Sequence, residues 1–324
     1  MPRSLPRPVL AAASRLRSWL DRVAPPSEAP AKVTVEATAD HGNVPALRFA
    51  PPGHFYSPLP DLADVSRRAA QLFDSSVATI PGVELNEGAQ LRLLEEFRTF
   101  YVDQPFGPHP TPGRRYHFDN PMYSYSDALF LHFMLRYLKP RRVIEIGSGY
   151  SSAVTLDTNE LFLGGKAHCT FIEPYPAVLL SMLRPSDSES TEVLPVPLQE
   201  VDLARFRELA ANDVLFVDST HVSKIGSDVN RIFFEILPVL APGVYVHFHD
   251  ILFPFEYPRA WVDEGRAWNE LYLLRAFLQY NTEFEIVLFS TYLGLRHRAR
   301  IAELFPLCLN NLGGSIWLRR NAIA

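Results

Sequence analysis

Apolar residues change their spacing about two-fifths of the way along the chain. From Asp61 to about Tyr101 they recur at helical intervals. LADVSRRAAQLF puts Leu62, Val65, Ala69 and Leu72 on one face, and LRLLEEFRTFY carries a second stripe. A third helix is predicted over SDALFLHFMLRYL, residues 126–138, capped by Ser124 or Ser126 and stopping before Lys139 and Pro140. Beyond Arg141 short β-branched and aromatic runs alternate with helical segments, the pattern of a parallel sheet with crossover helices. The runs are RVIEIG, HCTFIE, EVLPVP, DVLFVD, GVYVHFHD, FEIVLF and GGSIWLRR. They predict a doubly wound, mostly parallel seven-stranded α/β sheet preceded by an N-terminal helical subdomain. The last two runs, close in sequence, are expected to pair antiparallel at a sheet edge.

Upstream of the helices, residues 24–60 hold Pro25, Pro26, Pro30, Pro51, Pro52, Pro58 and Pro60, with few apolar residues at helical spacing. The expected organisation is a Pro/Arg-rich arm and approach segment over 1–60, a helical cap over 61–140 and the sheet domain over 141–320. Residues 251–280 form an insertion expected to act as a lid. Arg3, Arg7, Arg15, Arg17 and Arg22 surround a short apolar patch in the first part of the arm, which reads as a loosely helical tail or a membrane-surface segment.

Composition narrows the functional classes. Among 324 residues, 31 Lys+Arg against 36 Asp+Glu give a net charge of −5 spread along the chain, so no basic stripe for nucleic acid is expected. No apolar run reaches the roughly 18 residues of a bilayer span. Two cysteines, Cys169 and Cys308, supply neither a disulfide scaffold nor a four-cysteine zinc site, which favours a reducing, cytoplasmic setting. A homo-oligomer is left open.

The first predicted strand ends in Glu145, Ile146, Gly147, Ser148 and Gly149, followed by a helical segment. Glycines at a strand-to-helix turn let backbone approach a ligand at a helix N-terminus. A dinucleotide fingerprint would place a third glycine where this chain has Ser152, which lowers an NAD reading. Glu145, two positions before the first glycine, suits a cationic or amine-bearing ligand better than a pyrophosphate, so the turn reads as a site for a nucleoside without phosphates. Glu173 ends the second strand, where a carboxylate accepts hydrogen bonds from a ribose diol. Gln199 or Glu200, after the third strand, is placed to meet an adenine edge.

The fourth strand ends at Asp218 with His221 beyond it, and the fifth supplies His247, His249 and Asp250. Adjacent strand ends in a doubly wound sheet converge on one crevice. By period-two alternation His247 and His249 share a side. Three readings stand: Asp218, His249 and Asp250 as ligands of a divalent metal such as Mg²⁺ or Mn²⁺; metal-free acid–base work by His221 or His249 with Asp218; or satisfied structural histidines. In the insertion, Phe253, Phe255, Tyr257, Trp261 and Trp268 either line an acceptor pocket, with Arg259, Glu264, Arg266 and Asn269 as polar groups, or fill the core. His54, Tyr56 and Asp61 are acceptor-side candidates on the approach segment.

Through VIEIGSGYSS, FIEPYP, DVLFVDSTH and the strand ending HFHD, residues 120–320 resemble the class I S-adenosylmethionine-dependent methyltransferases. The resemblance implies a Rossmann-like sheet, S-adenosyl-L-methionine as cofactor, Gly147 and Gly149 beside its methionine part and Glu173 on its ribose. Tyr123, Ser124 and Asp127 match the region that closes over the methionine end. The strand-end acids are similar to those of metal-dependent O-methyltransferases and the cephalosporin-hydroxylase-like branch, where they bind magnesium; here His249 precedes Asp250 in place of an acid–acid pair. The expected activity is methylation, of a hydroxyl on a small-molecule or sugar-containing metabolite. A non-catalytic or hydroxylase-like member of the fold and an NAD-dependent oxidoreductase are the alternatives.

Overall fold

The computed structural model describes residues 49–322. The arginine-rich part of the arm lies outside the described residues. The chain divides into two compact units, Met1–Asp61 and Leu62–Ala324. In the first, Phe49, His54, Phe55 and Tyr56 gather their rings into one cluster, and the Gly53 N–H closes a turn on the Leu59 carbonyl.

In the second unit the helices α1 (Leu62–Arg67), α2 (Ala69–Leu72), α3 (Glu87–Val102) and α4 (Ser126–Leu138) precede β1 (Arg142–Ile146) and α5 (Tyr150–Phe162). Then come β2 (His168–Ile172), α6 (Ala177–Met182), β3 (Thr191–Leu194), α7 (Ala204–Arg207), β4 (Val214–Val217), α8 (Asp228–Arg231) and β5 (Tyr245–Phe248). The chain continues through α9 (Arg259–Asp263), α10 (Glu270–Leu278), β6 (Phe284–Phe289), α11 (Ser290–Arg296), α12 (Arg298–Leu304) and β7 (Ile316–Arg320). Among the described residues no helix is long and apolar enough to cross a membrane.

Helix α3 buries Gln90, Leu93, Leu94 and Phe97, the i, i+3, i+4, i+7 stripe of a surface helix. Helix α4 buries almost its whole length, and both contribute to one core with the strands. Neither expected serine caps α4. Tyr125 stands at that position with φ 44°, while Ser126 Oγ donates to the Cys308 carbonyl and Ser124 Oγ accepts from Asn311. Both hydroxyls tie the helix start to the segment before β7 instead.

The strands run β3-β2-β1-β4-β5-β7-β6. The first five are mutually parallel, and β7 pairs antiparallel with both β5 and β6. The expected antiparallel pair is present, with β6 at the edge and β7 inside the sheet. Strand β3 stops at Leu194, short of its apolar run, because Pro195 and Pro197 bring no N–H to a ladder. The strand order reverses between β1 and β4, so their carboxyl ends open a crevice, the usual ligand position in such sheets.

Candidate active site

Gly147 leaves β1 with φ +81°, and a Cβ there would stand 2.3 Å from the Asp218 carbonyl oxygen. No side chain fits while the Gly147 N–H bonds the Ile172 carbonyl (3.0 Å) and the Asp218 N–H bonds the Ile146 carbonyl (2.9 Å). Gly149 is the reverse case: a Cβ there meets nothing within 4 Å, so its bare backbone faces open space where α5 begins.

Glu145 is fully buried beneath this turn. Ser151 and Ser152 donate to its Oε1 at 2.6 and 2.7 Å, and its Oε2 has no partner. Burial pushes the carboxyl up to about 8, against the two serine bonds. Ser152, which replaces the third glycine of a dinucleotide fingerprint, also accepts the Gly149 N–H at 3.1 Å. Glu173 bridges two strand ends, taking the Ser148 N–H at 3.3 Å and the Tyr175 N–H at 2.8 Å. Gln199 is exposed on a turn after β3, its Nε2 donating to the Gly226 carbonyl; that bond points the amide at the loop after β4.

The structure brings Asp218, His221, His249 and Asp250 together at the ends of β4 and β5. His221 Nε2 lies 3.4 Å from Asp218 Oδ1 and 3.7 Å from Asp250 Oδ2, and His249 Nε2 lies 3.5 Å from Asp250 Oδ1. His221 and Asp250 both have left-handed backbones, with φ 60° and 56°, a conformation that non-glycine residues rarely hold unless their surroundings demand it. For His221 the demand comes from α10: the N–H groups of Asn269 and Glu270 bond its carbonyl at 2.9 and 3.1 Å.

Glu270 itself, fully buried, is a member of the site that sequence reasoning missed. Its Oε2 is 2.9 Å from His221 Nδ1 and its Oε1 has no partner. Both ring nitrogens of His221 therefore face carboxylate oxygens. Burial works to lower the imidazole, but the bonds to Asp218 and Glu270 raise it to about 10, and the ring is an imidazolium at neutral pH. Burial and the proton compete at Asp218 too: desolvation works to raise the carboxyl, and the charges of His249 and His221 carry it below its ordinary value.

His249 is buried with its ring 5.0 Å from that of Tyr123. Desolvation works to lower it, while Asp250, Asp218 and Asp127 together raise it. Asp127, buried on α4, accepts the Gly314 N–H at 3.0 Å. Of the region expected to close the site, Tyr123 and Asp127 thus face His249, and Ser124 faces Asn311. His247 points the same way as His249, as alternation predicted, with the rings at 15°. It is one layer deeper, stacked 4.0 Å from Phe216, and neither ring nitrogen has a partner. Burial holds it well below its ordinary value, so it is a neutral core residue.

The expected metal set does not form. Among the described residues no three histidine, cysteine or carboxylate groups are arranged to ligate one ion. Asp218 and Asp250 both turn an oxygen to His221 Nε2, so the imidazolium lies between the two acids that would share a cation. In the insertion, Phe253, Phe255 and Tyr257 are buried in the core, which corrects the pocket reading for those three: their rings pack on Phe289, Tyr292 and Trp268. Trp261 and Trp268 remain half-buried with the Arg266 guanidinium 4.6 and 5.0 Å from their rings, and Trp268 lies 4.4 Å from the ring of His221.

A family model described as a methyltransferase domain matches residues 144–251, the stretch from β1 to just past β5. An uncharacterized protein of Archaeoglobus fulgidus is 35% identical over 173 residues, covering 51% of this chain and 76% of that protein. Solved structures with similar folds include the S-adenosylhomocysteine-bound Podospora anserina methyltransferase PaMTH1, at 18% identity and TM-score 0.41 over 82% of this chain and 99% of that one. The O-methyltransferase TomG from Streptomyces achromogenes, in complex with S-adenosylmethionine, matches at 16% identity and TM-score 0.41 over 81% and 97%. A structure of CmcI with magnesium and S-adenosylmethionine matches at 18% identity and TM-score 0.36 over 60% and 71%. The chain belongs to the class I S-adenosylmethionine-dependent methyltransferases.

Proposed function

We propose that this methyltransferase acts on a hydroxyl group of a small-molecule or sugar-containing metabolite, with Glu145, Gly147, Ser148 and Gly149 around the methionine part of the cofactor, Glu173 on its ribose and Gln199 at its adenine edge. The observation that carries the reading is the paired imidazoles of His221 and His249 among Asp218, Asp250 and Asp127 at the strand ends, on the same sheet edge as the turn where Gly149 leaves open space. A sulfonium and an α-ammonium are cationic, and this carboxylate-rich crevice complements both.

Methyl transfer is a displacement. A lone pair of the acceptor oxygen forms the new O–CH₃ bond as the S–CH₃ bond breaks, and that bond's electron pair stays on sulfur to give S-adenosylhomocysteine. Alignment supplies much of the rate. The hydroxyl proton must still leave, and His249 in its neutral form is the base: the imidazolium it becomes is stabilised by Asp250, Asp218 and Asp127. His221, already protonated between its carboxylates, holds Asp218 and adds fixed positive charge where the alkoxide character develops.

Calorimetric titration with S-adenosylhomocysteine tests the cofactor half, with NAD as control. Wild type should bind in the micromolar range, and Glu173→Ala should lose at least tenfold in affinity. For the chemical half, Asp218→Ala and His249→Ala should bind the cofactor product normally while losing turnover in a screen of hydroxylated acceptors read by mass spectrometry. Full turnover in either variant would overturn its assignment, and no wild-type binding would overturn the assigned cofactor site.

A further inference from the structure

The resemblance to metal-dependent O-methyltransferases implies acids after the fourth and fifth strands around one divalent cation, and Asp218 and Asp250 stand at those strand ends here. What lies between them is a side chain of the same protein. His221 Nε2 faces Asp218 Oδ1 at 3.4 Å and Asp250 Oδ2 at 3.7 Å. A magnesium ion holds its oxygens at about 2.0–2.1 Å, so a cation that took up these two oxygens would have to compete with the imidazole nitrogen that faces both of them.

The imidazole has nowhere to retreat. Its Nδ1 is bonded by the buried Glu270 carboxylate at 2.9 Å. Its own carbonyl is bonded by two N–H groups at the start of α10, and its backbone is already in the left-handed region. One face of the ring lies 4.4 Å from Trp268, an indole that favours a cation at its face. The partners of the ring and of the carbonyl all come from the 251–280 insertion, and the residue they hold is 49 positions away from Glu270 in sequence.

We infer that His221, locked by Glu270 and Trp268, occupies the place of the divalent cation between Asp218 and Asp250, so that the crevice is filled there by one of the protein's own side chains and needs no metal. The inference deepens the proposed methyl transfer and rests on it for the role of the crevice, but the ion and the cofactor can be assayed separately. The imidazole ring brings directional ring nitrogens where a divalent ion would bring open coordination positions. The acceptor hydroxyl is thereby denied a Lewis acid and must surrender its proton to a protein base.

Manganese is the probe, followed by the electron paramagnetic resonance of free Mn²⁺ and by calorimetry, with S-adenosylhomocysteine binding measured on the same samples. Wild type should take up no Mn²⁺ at up to about 1 mM, and its affinity for S-adenosylhomocysteine should change less than twofold between chelator and Mg²⁺. His221→Gly empties the position and should gain Mn²⁺ affinity by at least tenfold. His221→Asp, which supplies a third carboxylate, does the same test if the glycine variant unfolds, as judged by circular dichroism. Stoichiometric Mn²⁺ binding by wild type below about 100 µM, or variants that fold and gain no affinity, would overturn the inference. Loss of S-adenosylhomocysteine binding in wild type would instead strike the methyl-transfer reading and leave the ion result standing on its own.

Discussion

The two glycines of the strand-to-helix turn should fail in opposite ways when each is given a methyl group. In Gly147→Ala the new Cβ would lie 2.3 Å from the Asp218 carbonyl oxygen and 3.2 Å from its carbon, at φ +81°. The left-handed backbone costs about 1–2 kcal/mol for a residue with a Cβ. Relief of the clash parts β1 from β4 by roughly 1 Å, which gives up the bond from the Asp218 N–H to the Ile146 carbonyl, worth about 1 kcal/mol. The sum is about 2–3 kcal/mol, or a fall in Tm of about 5–10 °C for a domain of this size. Gly149→Ala adds a Cβ that meets no protein atom within 4 Å, so Tm should fall by less than about 2 °C. The methyl instead enters the crevice and should cost at least tenfold in S-adenosylhomocysteine affinity. Scanning calorimetry and titration on both variants separate the effects. Equal destabilisation by the two, or unchanged affinity in Gly149→Ala, would refute the assignment of one glycine to packing and the other to the ligand.

Two further outcomes follow from buried charge. His132 on α4 bonds Thr158 at 2.8 Å through one nitrogen, has no partner on the other, and is lowered to about 3, first by burial and then by Arg136. Its unfolded form takes up a proton below about pH 6.5 while the folded form does not, so stability is lost as pH falls from there toward 3, at about 1.4 kcal/mol per unit. In urea titrations His132→Gln should therefore lose about 2 kcal/mol less than wild type between pH 7 and pH 5, and parallel curves would refute the linkage. Arg115, almost wholly buried, pairs with Asp157 and Glu160 at 2.8 Å and Asp187 at 2.7 Å; Arg115→Met leaves Asp157 buried without its cation and should destabilise by about 3–5 kcal/mol, a loss that a Tm shift under about 4 °C would contradict.

Local features of the site were readable because their signals are local. The turn at Gly147 and Gly149 follows from strand, glycine and helix in ten consecutive residues, and the shared side of His247 and His249 follows from alternation alone. Glu270 was not readable, since a carboxylate in AWNELYLL looks like any acid in the first turn of a helix. Its role exists only because α10 docks its N-terminus on the carbonyl of His221. The same limit hid the side chain that faces both Asp218 and Asp250: residue types at two strand ends are compatible with a metal, and only the folded positions bring His221 Nε2 against both acids. Aromatic density in the insertion was ambiguous because Phe253 and Phe255 in the core and Trp268 beside the site carry the same pattern in sequence. The place of β7 was also undetermined, because an antiparallel partner for β6 is compatible with either strand at the edge.

That place matters for how the protein is made. Residues Ile316–Arg320, the last of this sheet's seven strands in chain order, bind β5 on one side and β6 on the other, and among the described residues β6 has no other neighbour in the sheet. Until those residues leave the ribosome, β5 presents an open edge and β6 has nothing to pair with, so the crevice side of β5 that carries His249 stays unframed. The Gly314 N–H that bonds Asp127, and the Gly314 carbonyl that accepts from Ile251, arrive at the same moment. A nascent chain stalled before residue 314 should thus hold β1 to β5 without the Gly314 bonds to Asp127 and Ile251.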